Sequence, residues 1–239
     1  MARKKIIFVI VEGPSDEQAL GVVLSKLYDP NKVFVQIMHC DITTKWGVTP
    51  DNILSNIGSI VREYARNNSF KKNDFKEIIH IVDTDGAFVS DESVVEDQTA
   101  KKVLYSPTKI RTANRESLIQ RNQQKRTNLN KLVGDEKLVW GVPYRVFYMS
   151  CNLDHVLYNQ LNTNDTEKEN NAYLFARKYK NDIWGFCTFI SESEFSVVGN
   201  YQKSWGYIKQ NLHSLERHTN LGICFADIYE SKTTPNPNT

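Results

Sequence analysis

The chain has 239 residues, and its 30 lysines and arginines nearly balance its 28 aspartates and glutamates, which gives a formal net charge of +2. Hydrophobic residues make up 40% of the chain and the mean hydropathy is -0.48, values typical of an ordinary globular protein. This charge balance neither favours nor excludes nucleic acid as a partner. No apolar run approaches the roughly 20 residues that span a bilayer, so we expect one substantial unit in the cytoplasm, with no membrane association.

The sequence also lacks the motifs of several common catalytic centres. It contains no GxxxxGK[ST] phosphate loop, no nucleophile elbow and no HExxH pair, so the chain is not expected to hydrolyse ATP alone. The four cysteines are scattered, without CxxC or zinc-type Cys/His spacing, and we interpret them as buried reduced thiols.

The chain begins with a short apolar strand that ends at an acidic turn. Residues 6–11, IIFVIV, form a continuous β-branched and aromatic run of the length expected for a strand buried on both faces of a parallel sheet. A Gly-Pro turn breaks this run, and Ser15 or Asp16 is suited to cap the helix predicted at residues 17–28. Glu12 therefore stands at the carboxyl end of the strand, where open parallel sheets carry their chemistry.

A second strand and a second helix follow. Residues 33–38, VFVQIM, predict a strand that runs toward Asp41, near the same sheet edge as Glu12. We interpret Asp41 as a turn residue that caps its own loop rather than as a site residue. Residues 50–67 predict a helix with one apolar face, which crosses back to the third strand.

The third strand ends in two further carboxylates. Residues 77–82, EIIHIV, are followed by Asp-Thr-Asp-Gly, which places Asp83 and Asp85 at the strand's end. Because the carboxyl ends of parallel strands meet at one edge of a sheet, we expect Glu12, Asp83 and Asp85 to converge. Clustered carboxylates are the ligands that Mg²⁺ prefers, so the sequence predicts a divalent metal site.

The element order defines the expected fold. A β-α-β-α-β order with short turns implies right-handed crossovers and a doubly wound parallel sheet of about four strands, with residues 144–149, YRVFYM, as the fourth. Asp154 follows this strand, and two interpretations remain open: a fourth acidic group near the metal, or a carboxylate stabilised by a helix N-terminus. We interpret His155 as a packed residue rather than a ligand.

A helical insertion at about residues 87–141 is basic in its second half. Residues 114–132 predict a helix whose cations lie outside a thin apolar stripe. A charged helix face is often only solvated, but this one follows the acidic motif, where a phosphate backbone would need cations. Both interpretations stay open, and the candidate substrate-binding residues are Lys109, Arg111, Arg115, Arg121, Lys125 and Arg126.

The C-terminal third is expected to be a helical elaboration. The polar run at residues 162–171 predicts an exposed loop, and later apolar residues at helical spacing predict core-facing helices. The tail at residues 231–239, SKTTPNPNT, has nothing to bury and is predicted to be disordered. The expected division is therefore a catalytic domain at residues 1–161, the elaboration at residues 162–230 and the tail.

The order VEGPSDE and then VDTDG, separated by about a βαβα unit, resembles the Toprim domain. This α/β module is shared by topoisomerases, bacterial primases, ribosomal-RNA maturation nucleases and the overcoming-lysogenization-defect family of nucleases. The resemblance covers roughly residues 4–150. In Toprim enzymes the Glu binds metal or acts in acid/base chemistry and the Asp-x-Asp binds Mg²⁺, so the resemblance implies Glu12, Asp83 and Asp85 as catalytic residues and metal ligands.

One departure from the Toprim pattern narrows the expected function. Topoisomerases and primases usually have Asp-x-Asp-x-Asp, whereas Ala87 occupies the third acidic position here. The shortened motif resembles the nuclease branches, which include short partners of ATPases in bacterial abortive-infection systems. The resemblance thus implies an endonuclease that uses Mg²⁺ or Mn²⁺, with two ions, to cleave RNA such as tRNA, or DNA, in anti-phage defence beside an ATPase partner.

Two other functions remain open. The Ala87 replacement also suits a non-catalytic module that binds nucleic acid or metal without turnover, and a ribosomal-RNA processing nuclease would share the same chemistry with a different substrate. None of the 11 tyrosines stands out as a topoisomerase nucleophile, so water is the expected nucleophile. Assembly into a homo-oligomer is left open.

Overall fold

The computed structural model of the protein describes residues 4–134, 136–226 and 228. Within these residues the fold is α/β, with a mixed main sheet of mostly parallel strands and helices packed against both of its faces. The strands are β1 (Lys5–Val11), β2 (Val33–His39), β3 (Phe75–Asp83), β4 (Val94–Glu96), β5 (Leu104–Tyr105), β6 (Ile110–Thr112), β7 (Leu138–Val139) and β8 (Val142–Met149). The helices are α1 (Pro14–Leu27), α2 (Ile53–Asn67), α3 (Arg115–Leu132), α4 (Leu153–Tyr158), α5 (Asp165–Tyr179), α6 (Ile183–Glu192) and α7 (Tyr201–Ile208).

The main sheet has the strand order β2-β1-β3-β8-β7. β1 pairs in parallel with β2 and β3, and β3 pairs in parallel with β8, whereas the short β7 is antiparallel to β8. The four strands that the sequence predicts are confirmed as β1, β2, β3 and β8. These four strands all end at one edge of the sheet, where β1 and β3 lie side by side.

The central strand β1 explains why helices cover both faces. Six of its seven residues are buried. Ile7 and Val9 pack into one core with α1, α4, α5 and α6, whereas Ile6 and Phe8 pack into a second core with α2, α3 and α7. Because successive side chains of a strand point to opposite faces, a continuous apolar strand has to be covered on both sides.

The insertion between β3 and β8 is only partly helical, so the prediction of a helical insertion is wrong for its first half. There β4, β5 and β6 form a separate three-stranded sheet, and α3 confirms the helix predicted in the second half. Val94, Ile110 and Leu118 join this sheet to α3 in a third apolar cluster. Strands of two or three residues carry too little alternation to be predicted from sequence.

The start of α1 differs from its prediction because of the capping groups. The helix begins at Pro14 rather than near Glu17, and Gly13 is the N-cap. The Gly13 N–H donates to Asp16 Oδ2 at 2.9 Å, so neither Ser15 nor Asp16 is the N-cap that the sequence suggested. Proline at the first helical position is well suited to this start because its missing N–H has no intrahelical partner to lose.

The polar run at residues 162–171 is an exposed loop only in its first part, and that prediction is wrong from Asp165 onward. Asn164 accepts a hydrogen bond from the Glu167 N–H, and the Glu167 carboxylate accepts one from the Asn164 N–H. This reciprocal pair is a capping box, which starts a helix in a polar sequence. The tail predicted at residues 231–239 lies outside the described residues.

None of the helices that the structure describes combines the length and apolarity needed to cross a membrane. All four cysteines carry free thiols, and three of them are buried, as predicted. Cys40, the fourth, is half-buried beside the loop that follows β2.

Candidate active site

The carboxyl ends of β1 and β3 bring two of the predicted site residues together. Ile10 of β1 is level with His80 of β3, so Glu12 lies beside the end of β3, whose last residue is Asp83. Asp83 Oδ1 accepts a hydrogen bond of 3.0 Å from the N–H of Leu153, the first residue of α4. Strand pairing therefore places the Glu12 and Asp83 carboxyl groups at the same sheet edge.

Glu12 and Asp83 open on a cleft of about 670 Å³. Six of the side chains that line this cleft are acidic and one is basic, so its field attracts cations and disfavours a bare phosphate. The acidic residues are Glu12, Asp16, Asp41, Asp83, Asp165 and Glu169, and the basic residue is Lys168.

Lys125 of α3 holds the third predicted carboxylate away from this cleft. Its Nζ lies 3.1 Å from Glu12 Oε2 and 2.5 Å from Asp85 Oδ2, and its side chain is fully buried. The prediction that Lys125 lies on the outer face of its helix is therefore wrong. A buried ammonium is stable only where its charge is compensated; the ionised Asp85 compensates it here, and Glu12 accepts a further hydrogen bond from it.

The helical spacing contains a signal for this placement of Lys125. Leu118, Lys125, Leu129 and Leu132 are seven, four and three residues apart, so they lie on one face of α3. The leucines of this face are buried together with Lys125. A lysine that shares a helix face with buried leucines indicates a buried ion pair. Residue type alone would place the same lysine on the solvent-exposed face.

Asp85 sits in a polar pocket formed by the insertion. The Tyr105 hydroxyl donates to Asp85 Oδ1 at 3.3 Å, and Arg121 donates to the Tyr105 hydroxyl at 3.0 Å. Burial acts to raise the pKa of Asp85, but the charges of Lys125 and Arg121 outweigh burial and hold that pKa below its usual value. Asp85 is therefore an ionised carboxylate whose counter-charges come from the protein.

The other two carboxyl groups behave in the opposite way. Burial raises the pKa of Glu12 to about 8, and the nearby Asp85 and Asp41 charges add to this effect, which the Lys125 charge only partly offsets. Burial also raises the pKa of Asp83 well above its usual range, with Glu12 and Asp16 adding to the rise. Glu12 and Asp83 thus crowd negative charge that an added cation would stabilise.

The backbone of the Asp-Thr-Asp-Gly turn depends on Gly86. Asp85 and Gly86 both have positive φ, 50° and 67°. A Cβ on Gly86 would stand 2.6 Å from Leu215 Cδ2 and 2.8 Å from Ile110 Cδ1, so only glycine fits. Behind the turn, the Thr84 hydroxyl donates to the carbonyl oxygen of Ser214 at 2.9 Å.

The C-terminal segment is therefore part of the site, which the sequence gives no means to predict. The Cys151 N–H also donates to the Ser214 carbonyl, at 3.1 Å, and the Ser150 hydroxyl donates to the carbonyl of His213 at 2.6 Å. These contacts join residues more than 60 positions apart in the chain. Local sequence patterns carry no information about such pairs.

The loop after β2 confirms the interpretation of Asp41 as a capping residue. Asp41 Oδ1 accepts from the N–H and hydroxyl of Thr43, both at 3.2 Å, and Asp41 Oδ2 accepts from the Thr44 hydroxyl at 2.6 Å. The Thr43 hydroxyl also lies 3.4 Å from Glu12 Oε1. Asp41 nevertheless lines the cleft, so its charge acts on the site while its oxygens shape the loop.

Asp154 is not among the residues that line the cleft, although its partner Lys168 is. It lies in the first turn of α4, where its Oδ2 accepts a hydrogen bond of 2.6 Å from the Thr163 hydroxyl, with Lys168 Nζ at 4.0 Å. This position corresponds to the second interpretation, a carboxylate near a helix N-terminus. His155, next to it, is buried, as predicted for a packed residue.

Three of the predicted substrate-binding arginines contact acidic or carbonyl groups of the insertion itself. Arg111 lies 3.4 Å from Asp97, and Arg126 lies 3.9 Å from Asp91. Arg115 Nη2 donates a hydrogen bond of 2.6 Å to the carbonyl oxygen of Asp91. The contacts of Arg115 and Arg126 join α3 to the segment before β4, and the Arg111–Asp97 pair lies within the small sheet, so the three arginines have a structural role whether or not they also contact a ligand.

The remaining three candidates occupy different environments. Lys109 is exposed at the turn between β5 and β6. Arg121 is half-buried and directed at Tyr105, and Lys125 is fully buried. The six predicted cations therefore do not form one continuous exposed face.

The arrangement of donors decides how well a metal ion fits. In the part of the chain that the structure describes, no group of three or more His, Cys, Asp or Glu side chains is arranged to hold one. The Lys125 ammonium lies between Glu12 and Asp85. The oxygen donors of Glu12 and Asp83 suit a hard cation that keeps several waters, whereas Asp85 does not fit as a ligand while it pairs with Lys125.

Comparison with protein-family models, with curated proteins and with solved structures finds no match for this chain.

Proposed function

We propose that the protein is a metal-dependent nuclease of the Toprim type, with a doubly wound catalytic core, that hydrolyses phosphodiester bonds of RNA or DNA using Mg²⁺ or Mn²⁺. The proposal is supported by the order of the Glu and Asp-x-Asp motifs and by their positions after β1 and β3, adjacent parallel strands. The proposal rests on the residues at this sheet edge and not on a match to a known protein.

One observation carries the proposal. Glu12 and Asp83 come from different strands, share one acidic cleft, and both have a raised pKa caused first by burial. Glu12 also contacts a protein cation, since Lys125 Nζ lies 3.1 Å from its Oε2, yet its pKa stays raised. Two crowded carboxyl groups that open on a cleft are typical of a functional site.

Glu12, Asp83 and Lys125 have different roles in the proposed hydrolysis. Glu12 and Asp83 would hold the divalent ion, which when bound neutralises the scissile phosphate and makes water a better nucleophile. In the alternative arrangement, Asp83 would hold the ion and Glu12 would act as the general base that takes a proton from the attacking water. Lys125 fixes the Glu12 Oε2 position from inside the protein.

The substrate class and the biological setting rest on the Toprim resemblance alone. It implies RNA, including tRNA, or DNA as substrate, and an ATPase as partner in anti-phage abortive infection in the cytoplasm. A ribosomal-RNA processing role would use the same site.

A non-catalytic module that binds nucleic acid or metal is the second candidate function. The observation that favours it is the Lys125 ammonium between Glu12 and Asp85, together with the absence of a three-ligand group among the described residues. Such a module would bind without turnover.

Cleavage of total cellular RNA and supercoiled plasmid with Mg²⁺, Mn²⁺ or EDTA separates the two functions. We expect metal-dependent cutting by the wild-type chain, loss of cutting in Glu12→Gln, and retention in Asp165→Asn, which removes an exposed carboxylate from the same cleft. Nucleic acid that binds but stays intact with every metal, alone or with an ATPase partner, would support the binding module instead.

A further inference from the structure

Trp46 is the most exposed of the four tryptophans. Its side chain is 96% exposed, whereas Trp184 is 42% exposed and Trp205 is buried, with Trp140 packed against the second core. Single apolar residues are common on protein surfaces, so exposure alone assigns no role to Trp46. Its role has to be inferred from the loop that presents it.

The loop that carries Trp46 is held firmly to α3. Gln124 donates to the carbonyl oxygens of Lys45 and Val48 at 2.9 and 3.1 Å, and Asn128 donates to that of Thr43 at 2.9 Å. The indole is therefore displayed by an ordered backbone. Such a display reduces the entropy lost when a ligand stacks on it.

Trp46 occupies the corner of a β-turn. The Val48 N–H donates to the Lys45 carbonyl at 3.1 Å, and Gly47 has a φ of +77°. Glycine at the third position of such a turn permits the positive φ. Nothing lies within 4 Å of a Cβ built on Gly47, so this corner of the loop projects into open space.

The same loop begins at the edge of the cleft. Asp41, at its start, lines the cleft, and the Thr43 hydroxyl approaches Glu12 at 3.4 Å. Three residues of extended chain span at most about 11 Å, so the Trp46 backbone lies within that distance of Thr43. A strand whose phosphate lies over Glu12 would pass this corner of the loop.

The charge beside Trp46 suits a nucleic acid strand. Lys45 is exposed at the adjacent position. Its charge acts on the Cys40 thiol of the same loop, where it opposes the rise in pKa that burial causes. An aromatic ring next to a cation is the arrangement by which proteins bind single strands, the ring taking a base and the cation a phosphate.

We propose that Trp46 is a stacking platform for an unpaired nucleobase adjacent to the bond that is cut, and that the substrate is therefore single-stranded at this position. This inference rests on the proposed nuclease function and specifies its substrate. The Trp46 indole stacks on the base while Lys45 contacts the backbone. A duplex, whose bases are already stacked on one another, offers no free face to the ring.

The test measures fluorescence anisotropy of labelled oligonucleotides with the Glu12→Gln chain and Mg²⁺, so that the strand stays intact. The probes are single-stranded RNA and DNA, the matching duplexes, and strands of equal length built from abasic residues. Trp46→Ala should weaken binding of base-bearing single strands about five- to hundredfold and leave abasic strands unaffected. Trp46→Phe should retain part of the affinity, and Trp184→Ala should match the parent.

The remaining outcomes overturn the inference in distinguishable ways. If Trp46→Ala binds single strands as tightly as its parent, the stacking role of Trp46 is wrong and the nuclease proposal is unaffected. The same holds if the Glu12→Gln chain binds no single strand although the wild-type chain cuts. A change in sedimentation mass without a change in strand affinity assigns the indole to a second copy of the chain instead. Neither binding nor cutting by the wild-type chain overturns both proposals.

Discussion

The carboxylate cluster at the sheet edge has two halves with opposite electrostatics. Glu12 and Asp83, the open half, face the cleft and have raised pKa values, although Glu12 also contacts Lys125. Asp85, the closed half, lies near Lys125, Arg121 and Tyr105 and has a lowered pKa. Asp83 and Asp85 are only two residues apart. An Asp-x-Asp motif is therefore not one chemical unit, because the turn at Asp85 directs its second carboxylate to a different partner.

This difference changes the expected number of metal ions. The Toprim resemblance implies two, with Glu12, Asp83 and Asp85 as ligands. A single positive charge, the Lys125 ammonium, already lies between Glu12 and Asp85. We therefore propose one exchangeable cation at the open half, beside the permanent protein cation of the closed half.

The largest effect is expected from the open half. Glu12→Gln and Asp83→Asn should each lower cutting by about 10²- to 10⁴-fold, the range for loss of a positioned acid or base. Asp85→Asn should reduce cutting less and stability more, because it leaves Lys125 with one partner. Initial rates and thermal melts of the three variants measure both effects. Equal rate losses in Asp83→Asn and Asp85→Asn would show that the open and closed halves do not differ in function.

Lys125→Met tests the closed half. Removing one partner of a buried ion pair costs about 3–5 kcal/mol, so the free energy of unfolding should fall by that amount. Added Mg²⁺ should restore more stability to this variant than to the wild type, because two carboxylates lose their counter-charge.

Urea unfolding with and without Mg²⁺ measures the Lys125→Met effect. Lys131→Met, which removes an exposed lysine from the end of the same helix, is the matched control and should be neutral. A Lys125→Met chain as stable as this control would show that the buried pair contributes nothing.

Gly86 supports the closed half from behind. Gly86→Ala should cost about 2–4 kcal/mol, because a Cβ there meets Leu215 and Ile110 and the positive φ is strained. Gly47→Ala shares the positive φ but meets nothing, so it should cost only about 1–2 kcal/mol. Chemical denaturation of the two variants compares them, and equal losses would remove the packing argument.

The smallest effect is a pH dependence of stability. Between the ordinary pKa of Glu, 4.5, and about 8, folded Glu12 keeps a proton that unfolded Glu12 has lost. The free energy of unfolding should therefore fall as pH rises through this window, and Asp83 contributes with the same sign. Glu12→Gln should flatten the slope in urea melts at pH 5, 6.5 and 8. A slope unchanged by the substitution would place the titration elsewhere.

The sequence predicts the framework of the fold well, for a physical reason. Strands buried on both faces are continuous apolar runs, such as residues 6–11, and parallel strands put their ends at one edge. The neighbourhood of Glu12 and Asp83 follows from that rule. The three short strands of the insertion lack any periodic pattern, and the start of α5 depends on a capping box in a polar run.

The partner of each carboxylate is less predictable than its position. Lys125 lies in register with Leu118 and Leu129, so its burial follows from spacing, but its pairing with Glu12 joins residues 113 positions apart. The contact of Thr84 with the Ser214 carbonyl spans 130 positions. Such long-range pairs are set by how elements pack in three dimensions.

The central claim is that the open half binds one exchangeable divalent ion and the closed half binds none. Mn²⁺ binding to the wild-type, Asp83→Asn and Asp85→Asn chains, measured by titration calorimetry, tests it most directly. We predict one ion per wild-type chain, no binding in Asp83→Asn and one ion in Asp85→Asn. Two ions in the wild type, or binding that survives in Asp83→Asn, would contradict the account.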